Sequence, residues 1–432
     1  MSRRVAIVGA GLAGCLLAAL LGDRGVPVDV YERRADPRRA GAERGRSINL
    51  AISARGLDAL ARVGLDDQAL ADALPMRGRT LHSPTGELAF QSYSADGTRA
   101  INSISRSGLN HALLDRAEQA PGVSLHFGHR LTGVDADTGE LDFEGHRAKA
   151  DVVVGADGAY SAVRRAIQNG MDLHQEFLPH GYKELTIPAR DGEFALDPAS
   201  LHIWPRGSSM MIALPNTDRS FTCTLFWPKD GAGGFAELTE PAQVLEAFQD
   251  RYPDAVPLMP TLSHDYLANP VGSLVTVRCR PWVRGRVALL GDAAHAIVPF
   301  FGQGANCAFE DCVELERCLT ATGGDWPSAL VAYEANRKAN ADAIADMALE
   351  NFVEMSEKVA SPVFRGQTRV RHALERVLGG RYVSRYELVS FTTIPYAQIE
   401  GRIRRQDRAV GAVAAGVLAA AAAGVALTRR RP

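Results

Sequence analysis

The sequence predicts an α/β protein in which a dinucleotide-binding domain is interrupted by an inserted antiparallel sheet and followed by a C-terminal helical region. Three observations lead to this fold class. Strand and helix patterns alternate from residue 3 to about residue 74. Aromatic-rich stretches of alternating character follow between about residues 176 and 276, as expected for antiparallel strands with one solvated face. From residue 303 onward the pattern is helical.

The first element is a short apolar strand, residues 5–8, which runs directly into a turn containing Gly9, Gly11 and Gly14. In a Rossmann-type fingerprint the first glycine allows the tight turn, the second lets the backbone approach a pyrophosphate, and the third lets helix and strand pack closely. Glu32 stands at the end of the next apolar run, where it can accept hydrogen bonds from a ribose. The alternative is an ordinary strand-to-helix turn.

Composition excludes several classes of function. The chain has 432 residues, of which 46% are hydrophobic and 23% charged, enough for a large core and two interleaved domains. A net charge of −2 provides no basic field for nucleic acid. The cysteines lack CxxC spacing, and His and acidic residues do not cluster at ligand spacing, so we expect reduced thiols, a cytoplasmic setting and no metal site.

Both ends of the chain carry arginines beside apolar stretches. A secretion signal at the N-terminus is rejected because its cleavage would remove the glycine turn. Residues 409–427 contain no charged side chain and could form a helix of about 28 Å, close to the thickness of a bilayer core. Because the segment is mostly Ala and Gly, we expect either a membrane anchor or a helix packed on the protein.

These patterns predict a discontinuous domain organisation. We expect a nucleotide-binding domain at 1–175 and 277–340, substrate-domain sheet segments at 70–105 and 176–276, a C-terminal helical region at 341–408, and an apolar tail helix at 409–428.

Two later segments complete a pattern with the glycine turn. Asp157-Gly158 ends a second apolar run, and Gly291-Asp292 ends a third, with Gly302-Gln303-Gly304 shortly after it. The three motifs, in this order and spacing, resemble the FAD-dependent, single-component aromatic hydroxylases of the p-hydroxybenzoate hydroxylase type. The resemblance extends over nearly the whole chain.

The resemblance implies FAD as a noncovalent cofactor and NADPH as a co-substrate that docks only transiently, since there is one dinucleotide fingerprint. It implies that Asp292 binds the ribityl chain and that Arg106 meets the pyrophosphate, although Arg106 could be a solvated helix residue. The helix beginning near Gly302 would direct its positive end at the reduced flavin. The cofactor-binding residues implied are Gly9, Gly11, Gly14, Glu32, Arg106, Asp157, Gly158, Gly291, Asp292, Gly302, Gly304 and Asn306.

Several strings are similar to the family members that hydroxylate the aminophenyl ring of L-kynurenine, among them residues 45–50, 181–185, 299–306, 309–312 and 351–355. This similarity implies an aromatic amino acid and dioxygen as reactants, oxygen transfer through a flavin C4a-hydroperoxide, and no catalytic base. His295 is interpreted as structural. The substrate-binding residues implied are Arg79, Tyr93, Asn351, Tyr386 and Phe226; the alignment around Tyr93 could slip, and both tyrosines could be ordinary core residues.

Three other functions stay open. The same flavin chemistry could act on another aromatic acid in a tailoring pathway. A flavin halogenase is disfavoured because the tryptophans, at 204, 227, 282 and 326, are scattered and not paired. A nonenzymatic escort scaffold for prenylated GTPases is disfavoured by the intact flavin motifs.

Overall fold

The computed structural model describes residues 3–39, 49–231, 233–358, 366, 370 and 373–428. For residues 414 and 416–428 only the backbone is described. Part of the string at 45–50 that supported the resemblance lies outside the described residues. The fold class predicted from sequence, an α/β flavin-binding domain with an inserted sheet and C-terminal helices, is confirmed.

The longest of the described strands is β13, with 16 residues. In chain order they are β1 (Val5–Val8), β2 (Val28–Glu32), β3 (Asn49–Ile52), β4 (Leu74–Met76), β5 (Gly78–His82), β6 (Leu88–Ser92), β7 (Ile101–Ser105), β8 (Val123–Phe127), β9 (Leu131–Val134), β10 (Glu140–Phe143), β11 (His146–Lys149), β12 (Val152–Gly155), β13 (Asp172–Ile187), β14 (Ser200–Arg206), β15 (Ser209–Pro215), β16 (Phe221–Pro228), β17 (Gly272–Arg280), β18 (Val283–Arg284) and β19 (Val287–Leu289).

The helices become longer toward the C-terminus. They are α1 (Leu12–Asp23), α2 (Ala54–Ala61), α3 (Asp66–Ala71), α4 (Arg106–Gln119), α5 (Ala162–Ile167), α6 (Pro241–Arg251), α7 (Leu262–Ala268), α8 (Asp292–His295), α9 (Gly304–Ala321), α10 (Trp326–Val353), α11 (Arg385–Ser390) and α12 (Tyr396–Thr428). Single turns of 3-10 helix cover Val256–Leu258, Pro299–Phe301 and Gly379–Arg381, and a π-helical turn covers Glu354–Lys358.

The nucleotide-binding half is a six-stranded sheet in the order β18-β19-β12-β1-β2-β8. All neighbours are parallel except β18 and β19. Strands β1, β12 and β19 are buried along their whole length, because helices cover both faces of a parallel sheet. The three motifs therefore meet at one edge, since β1, β12 and β19 are adjacent and each leads into a motif at its carboxyl end.

The second half is a seven-stranded sheet in the order β17-β13-β16-β15-β14-β5-β6. Its pairs are antiparallel except β14 with β5, which is parallel. One face packs on α6 and α7 through an aromatic cluster that includes Trp204, Trp227 and Phe248. The opposite face covers the cavity described below.

The strand boundaries differ from those expected at two places. The long strand β13 begins at Asp172 and its partner β17 ends at Arg280, so the sheet extends beyond 176–276 on both sides because the first part of β13, up to Tyr182, pairs with β17. Within 70–105, only β5 and β6 join the large sheet; β7 pairs with both β3 and β4 in a separate three-stranded sheet.

The C-terminal helices close one side of the molecule. The second half of α10, together with α11 and the start of α12, packs against the seven-stranded sheet through a cluster that includes Ile344, Met347, Leu388 and Ile399. The predicted tail, 409–428, forms the last part of the continuous helix α12. Among the helices that the structure describes, none is long and apolar enough to cross a membrane. Most tail side chains lie outside that description, so the anchor stays a prediction.

Candidate active site

A cavity of about 480 Å³ lies between the six-stranded and the seven-stranded sheet. Its floor comes from the three motifs of the nucleotide-binding half, including Gly11, Gly158 and Asp292. Its roof comes from the seven-stranded sheet, and its far wall includes Tyr386 of the C-terminal region. The fold therefore brings most of the predicted residues to one continuous space; those that do not line it are Gly9, Gly14, Glu32, Asp157, Asn306 and Asn351.

The glycine turn shows why each glycine is needed. At Gly14 a Cβ would lie 1.9 Å from the Gly9 carbonyl oxygen, and at Gly9, with φ +109°, it would meet the Ala156 carbonyl at 2.5 Å. At Gly11 a Cβ would meet no protein atom within 4 Å. Gly14 and Gly9 are thus required by strand and helix packing, whereas Gly11 leaves open space on the cavity side, where a pyrophosphate would approach.

Glu32 ends β2 and is almost completely buried. Its carboxylate accepts hydrogen bonds from the Ala10 N–H at 3.1 Å and from the Arg34 N–H at 3.0 Å. The carboxylate is thereby held against the glycine turn, at the end of the strand next to β1. Its position agrees with that of a ribose-binding acid, and a ribose would share its oxygens with these backbone donors.

Asp157 and Gly158 have separate roles in the structure. The Asp157 carboxylate accepts from the Ala162 and Val163 N–H groups at 2.6 and 3.1 Å, so it caps the N-terminus of α5. Gly158, with φ +81°, lines the cavity. Asp157, assigned above to cofactor binding, is therefore directed at a helix end and supports the turn that presents Gly158.

Asp292 is the acidic group on the cavity floor. Its side chain is open to the cavity, and among the described residues its carboxylate has no hydrogen-bond partner. Burial deep in the protein raises its pKa, although the positive charge of Arg106 opposes this. An unpaired acceptor in this position suits a ribityl hydroxyl, and Arg106, at the start of α4, lines the same space.

The N-terminus of α9 also opens onto the cavity. Gly302, at φ +65°, and Gly304 line the space, and the N-cap residue Gln303 makes no capping bond. The first N–H groups of α9 therefore provide a positive helix end without a side-chain cap. Asn306, assigned above to cofactor binding, is instead saturated by protein groups: it accepts from the Ser53 N–H and donates to the Ala51 and Gly302 carbonyls.

These features fit FAD on structural grounds. The Gly11 gap, the unpaired Asp292 carboxylate and the uncapped α9 N-terminus occupy three places along one cavity, as a pyrophosphate, a ribityl chain and an electron-rich ring edge would require. We call this part of the cavity, bordered by Gly11, Asp292 and the start of α9, the flavin cradle. Asp157 and Asn306 do not line it but support the backbone that does.

Three of the four residues predicted to hold the substrate head group, Arg79, Tyr93 and Tyr386, come together in the cavity. Tyr93 and Tyr386 stack with ring centroids 4.7 Å apart, and the Arg79 guanidinium lies 4.6 Å from the Tyr386 ring centroid. All three line the cavity. Among the described residues no carboxylate forms a salt bridge with Arg79.

The protonation states of this cluster follow from burial. Burial disfavours the Arg79 charge, but the adjacent phenols and the Glu354 carboxylate outweigh it and raise the pKa of Arg79. Burial also raises the pKa of Tyr93 and Tyr386. The cluster therefore offers one fixed cation and two phenol O–H donors, a set that can bind a carboxylate.

Phe226 lines the roof as predicted, with its ring 4.8 Å from that of Phe300. Sequence reasoning missed most of its apolar neighbours. The alternating sequence pattern could have revealed them. Residues 210, 212 and 214 alternate along β15 and lie on the same face of the sheet as residues 224 and 226 of β16. Lining residues found only in the structure include Met76, Leu201, Met210, Ile212, Leu214, Thr224, Phe301 and Met355.

Asn351, assigned above to substrate binding, lies behind the cavity wall. Its amide donates to the Phe300 carbonyl at 2.6 Å and contacts the Met355 sulfur at 3.3 Å, and both of these partners line the cavity. Because α10 directs this amide at the wall residues, Asn351 orients the wall.

His295 belongs to a buried ionic cluster under the cavity floor. Its Nε2 lies 2.5 Å from Asp311 Oδ2, and the Asp311 carboxylate also accepts from Arg337 Nε at 2.7 Å and from the Gly291 N–H at 2.9 Å. His295, Cys307 and Asp311 are dispersed in sequence but meet in this cluster, closely enough to be candidate ligands of one metal ion, and the absence of a metal site stays a prediction. Arg337 donates hydrogen bonds to both the Asp311 carboxylate and the Cys307 sulfur. These bonds use lone pairs that a metal ion would need.

Comparison with known proteins identifies the family. Residues 2–348 match a family model described as "FAD binding domain". The chain is 49% identical to kynurenine 3-monooxygenase of Myxococcus xanthus, over 91% of this chain and 86% of the relative. It is 46% identical to kynurenine 3-monooxygenase of Salinispora tropica, over 99% and 98%.

Among solved structures, 2-methyl-3-hydroxypyridine-5-carboxylic acid oxygenase in its tetrameric form superposes with a TM-score of 0.69 at 24% identity, covering 85% of this chain and 96% of that one. This similarity concerns the fold. The family match and the sequence identities establish FAD as the cofactor and monooxygenation as the type of reaction. The chain therefore belongs to the kynurenine 3-monooxygenase family of flavin-dependent aromatic monooxygenases.

Proposed function

We propose that this protein hydroxylates L-kynurenine to 3-hydroxykynurenine, using FAD, NADPH and dioxygen. The observation that carries the proposal is the buried cluster of Arg79, Tyr93 and Tyr386 at the end of the cavity opposite the flavin cradle. A cation with two phenol donors suits an amino-acid carboxylate, and the two relatives named above are called kynurenine 3-monooxygenases.

The substrate would lie with its carboxylate on Arg79 and its ring toward the cofactor. The intervening walls are apolar and aromatic, with Phe226 and Met210 on the roof and Phe300 on the side. An aminophenyl ring fits such a surface, and binding there removes it from water. Thr224, also on the roof, supplies a hydroxyl within this stretch.

FAD, when bound and reduced, activates dioxygen and supplies the oxygen atom that the ring receives. The protein's own residues bind, orient and dehydrate the reactants. The aniline nitrogen of kynurenine already makes its ortho carbon electron-rich, so positioning is the main requirement. Oxygen transfer through a flavin hydroperoxide, as the family resemblance implies, is part of the proposal.

The uncapped start of α9 gives a physical reason for reduction to be favourable here. Its positive end faces the cradle, where it would stabilise the negative charge that a reduced flavin acquires. NADPH would deliver the hydride during transient docking, because the sequence contains one dinucleotide fingerprint.

The decisive experiment measures NADPH oxidation by the FAD-loaded protein with and without L-kynurenine, with mass spectrometry of the product and an assay for hydrogen peroxide. We expect L-kynurenine to accelerate flavin reduction and one 3-hydroxykynurenine to form per NADPH. Acceleration without a hydroxylated product, or turnover of an anthranilate-type acid in preference to L-kynurenine, would assign the chain to another aromatic acid. NADH run in parallel tests the choice of reductant.

A further inference from the structure

Arg55 is completely buried yet does not line the active-site cavity. It lies in the first turn of α2, directly after β3, whose residue Ala51 borders the cavity. Its guanidinium points the other way, toward the C-terminal helices. A fully buried arginine needs partners for its donors and its charge, and these partners define what Arg55 does.

Arg55 donates hydrogen bonds to backbone carbonyls that follow Tyr386 in the sequence. Its Nε donates to the Val389 carbonyl at 3.1 Å, and its Nη2 donates to the Ile394 carbonyl at 2.5 Å and approaches the Leu388 carbonyl at 3.5 Å. Leu388 and Val389 belong to the last turn of α11, where carbonyls lack intrahelical partners. Arg55 therefore caps the short helix that carries Tyr386.

The positive charge of Arg55 is paired with Glu310, a residue of α9, whose N-terminus opens onto the cavity. Its Nη1 contacts Glu310 Oε1, and Glu310 Oε2 lies 3.1 Å from Arg337 Nη1. Arg337 in turn binds Asp311, which accepts from the Gly291 N–H beside the ribityl-binding position. A continuous chain of charged groups thus runs from the cofactor cradle to the helix of Tyr386.

A second connection converges on the same guanidinium. The Arg55 Cζ lies 3.8 Å from the centroid of the Tyr396 ring, at the start of α12. The Tyr396 hydroxyl donates to Gln303 Oε1 at 2.9 Å, and Gln303 is the residue before α9. Both connections begin at elements that line the cradle and end at Arg55.

We propose that Arg55 is a positioning residue for the substrate site: by capping α11 from the flavin-binding half, it holds the Tyr386 ring against Arg79 and so sets the affinity for the carboxylate-bearing substrate. This inference rests on the proposed function for the identity of the substrate. Its structural part, the fixing of α11 by Arg55, is independent of it.

The test compares Arg55→Lys and Arg55→Met with the wild type, all loaded with FAD. Titration with L-kynurenine, followed by the flavin absorbance, should give a dissociation constant raised about tenfold or more, which corresponds to about 1.4 kcal/mol. KM should rise more than kcat falls. Amide hydrogen exchange of a peptide spanning 385–394 should accelerate, while a peptide from β12 should not change.

Arg206→Lys is the matched control. Arg206 is also buried and also donates to backbone carbonyls, those of Arg251 and His82, but on the opposite side of the seven-stranded sheet. It should leave substrate affinity and the exchange of 385–394 unchanged. If it raises the dissociation constant as much as Arg55→Lys does, general destabilisation accounts for both and the proposal is overturned.

A double-mutant cycle shows whether Arg55 acts through Tyr386. In a Tyr386→Ala background, Arg55→Lys should have little further effect on the dissociation constant. Full additivity, or wild-type affinity and exchange in Arg55→Lys, would overturn the proposal. If Arg55→Met does not fold, Arg55→Lys and Glu310→Gln carry the test. If wild-type protein fails to bind L-kynurenine, the proposed function fails, and the exchange measurement still decides the positioning role.

Discussion

Tyr93 and Tyr386 stack with ring centroids 4.7 Å apart and an interplanar angle of 19°, although one follows β6 and the other lies in α11 near the end of the chain. This contact joins the inserted sheet to the C-terminal region directly beside Arg79. The substrate end of the cavity therefore exists only when the C-terminal helices are docked. The predictions that follow test this end of the site, the cofactor cradle and the buried charges that support both.

Replacing Arg79 should weaken substrate binding without affecting the cofactor. In Arg79→Met the carboxylate loses a charge-assisted partner in a buried site, and we expect the KM for L-kynurenine to rise about 30-fold, corresponding to about 2 kcal/mol. FAD occupancy, read from absorbance, should not change. Arg77→Met is the control, because Arg77 is exposed and donates to the Thr98 carbonyl. A normal KM in Arg79→Met would remove Arg79 from the site.

Gly11→Ala should separate cofactor binding from folding. A Cβ at Gly11 meets no protein atom within 4 Å, so the apoprotein should unfold at the same urea concentration as the wild type. The methyl group would nevertheless occupy the space reserved for the pyrophosphate, and FAD affinity should fall at least tenfold. Gly401→Ala, in α12 and equally unobstructed, controls for the substitution itself. Unchanged FAD affinity in Gly11→Ala would contradict the pyrophosphate assignment.

Asp292→Asn should stabilise the apoprotein and weaken FAD binding. Because burial raises the pKa of Asp292, the folded state holds its proton at higher pH than the unfolded state does, and its contribution to stability falls as pH rises through that window. At pH 7 the charge costs free energy, so the apoprotein of the neutral variant should unfold at a higher urea concentration, by an amount that solvent in the open cavity keeps small. Loss of the acceptor should weaken FAD binding about 10-fold to 100-fold, measured by fluorescence titration.

Arg337→Met should be strongly destabilising. The guanidinium pairs with both Asp311 and Glu310 in a buried environment, and its removal takes one partner from each carboxylate, leaving His295 on Asp311 and Arg55 on Glu310. We expect the free energy of unfolding in urea to fall by about 3–5 kcal/mol. The comparison is Arg317→Met, which removes an exposed pair with Glu314 and should cost less than about 1 kcal/mol. If the free energy of unfolding falls equally in the two variants, the buried cluster stabilises the protein no more than the Arg317–Glu314 pair does.

His202 should make stability pH-dependent on the acid side. Burial lowers the pKa of His202 to about 4, and its ring lies between His82 Nε2 and the Asp197 carbonyl. The unfolded chain binds the proton more readily between pH 4 and 6.5, so stability should rise with pH across that range, by as much as about 3 kcal/mol. His202→Gln should flatten this slope in urea unfolding curves, whereas His264→Gln, at an exposed position, should retain it.

Local features of the fold could be predicted from the amino-acid sequence alone. Glycines at 9, 11 and 14 after an apolar strand predict the nucleotide turn, because their spacing is a local pattern that can be recognised without the tertiary contacts. The same holds for the strands that precede Gly158 and Gly291 and for the alternation of the inserted sheet. The family resemblance added the substrate residues, and Arg79, Tyr93, Tyr386 and Phe226 do line one cavity.

The partners of the polar side chains, in contrast, became clear from the tertiary structure. Asp157 caps a helix, Asn306 binds three backbone groups and Asn351 supports the wall, so these residues act behind the site. The ionic chain from Gly291 to Arg55 was invisible in the sequence because its members are far apart and each is an ordinary charged residue by composition. Local patterns encode strands, turns and helix ends, whereas the partner of a buried charge depends on which elements pack together.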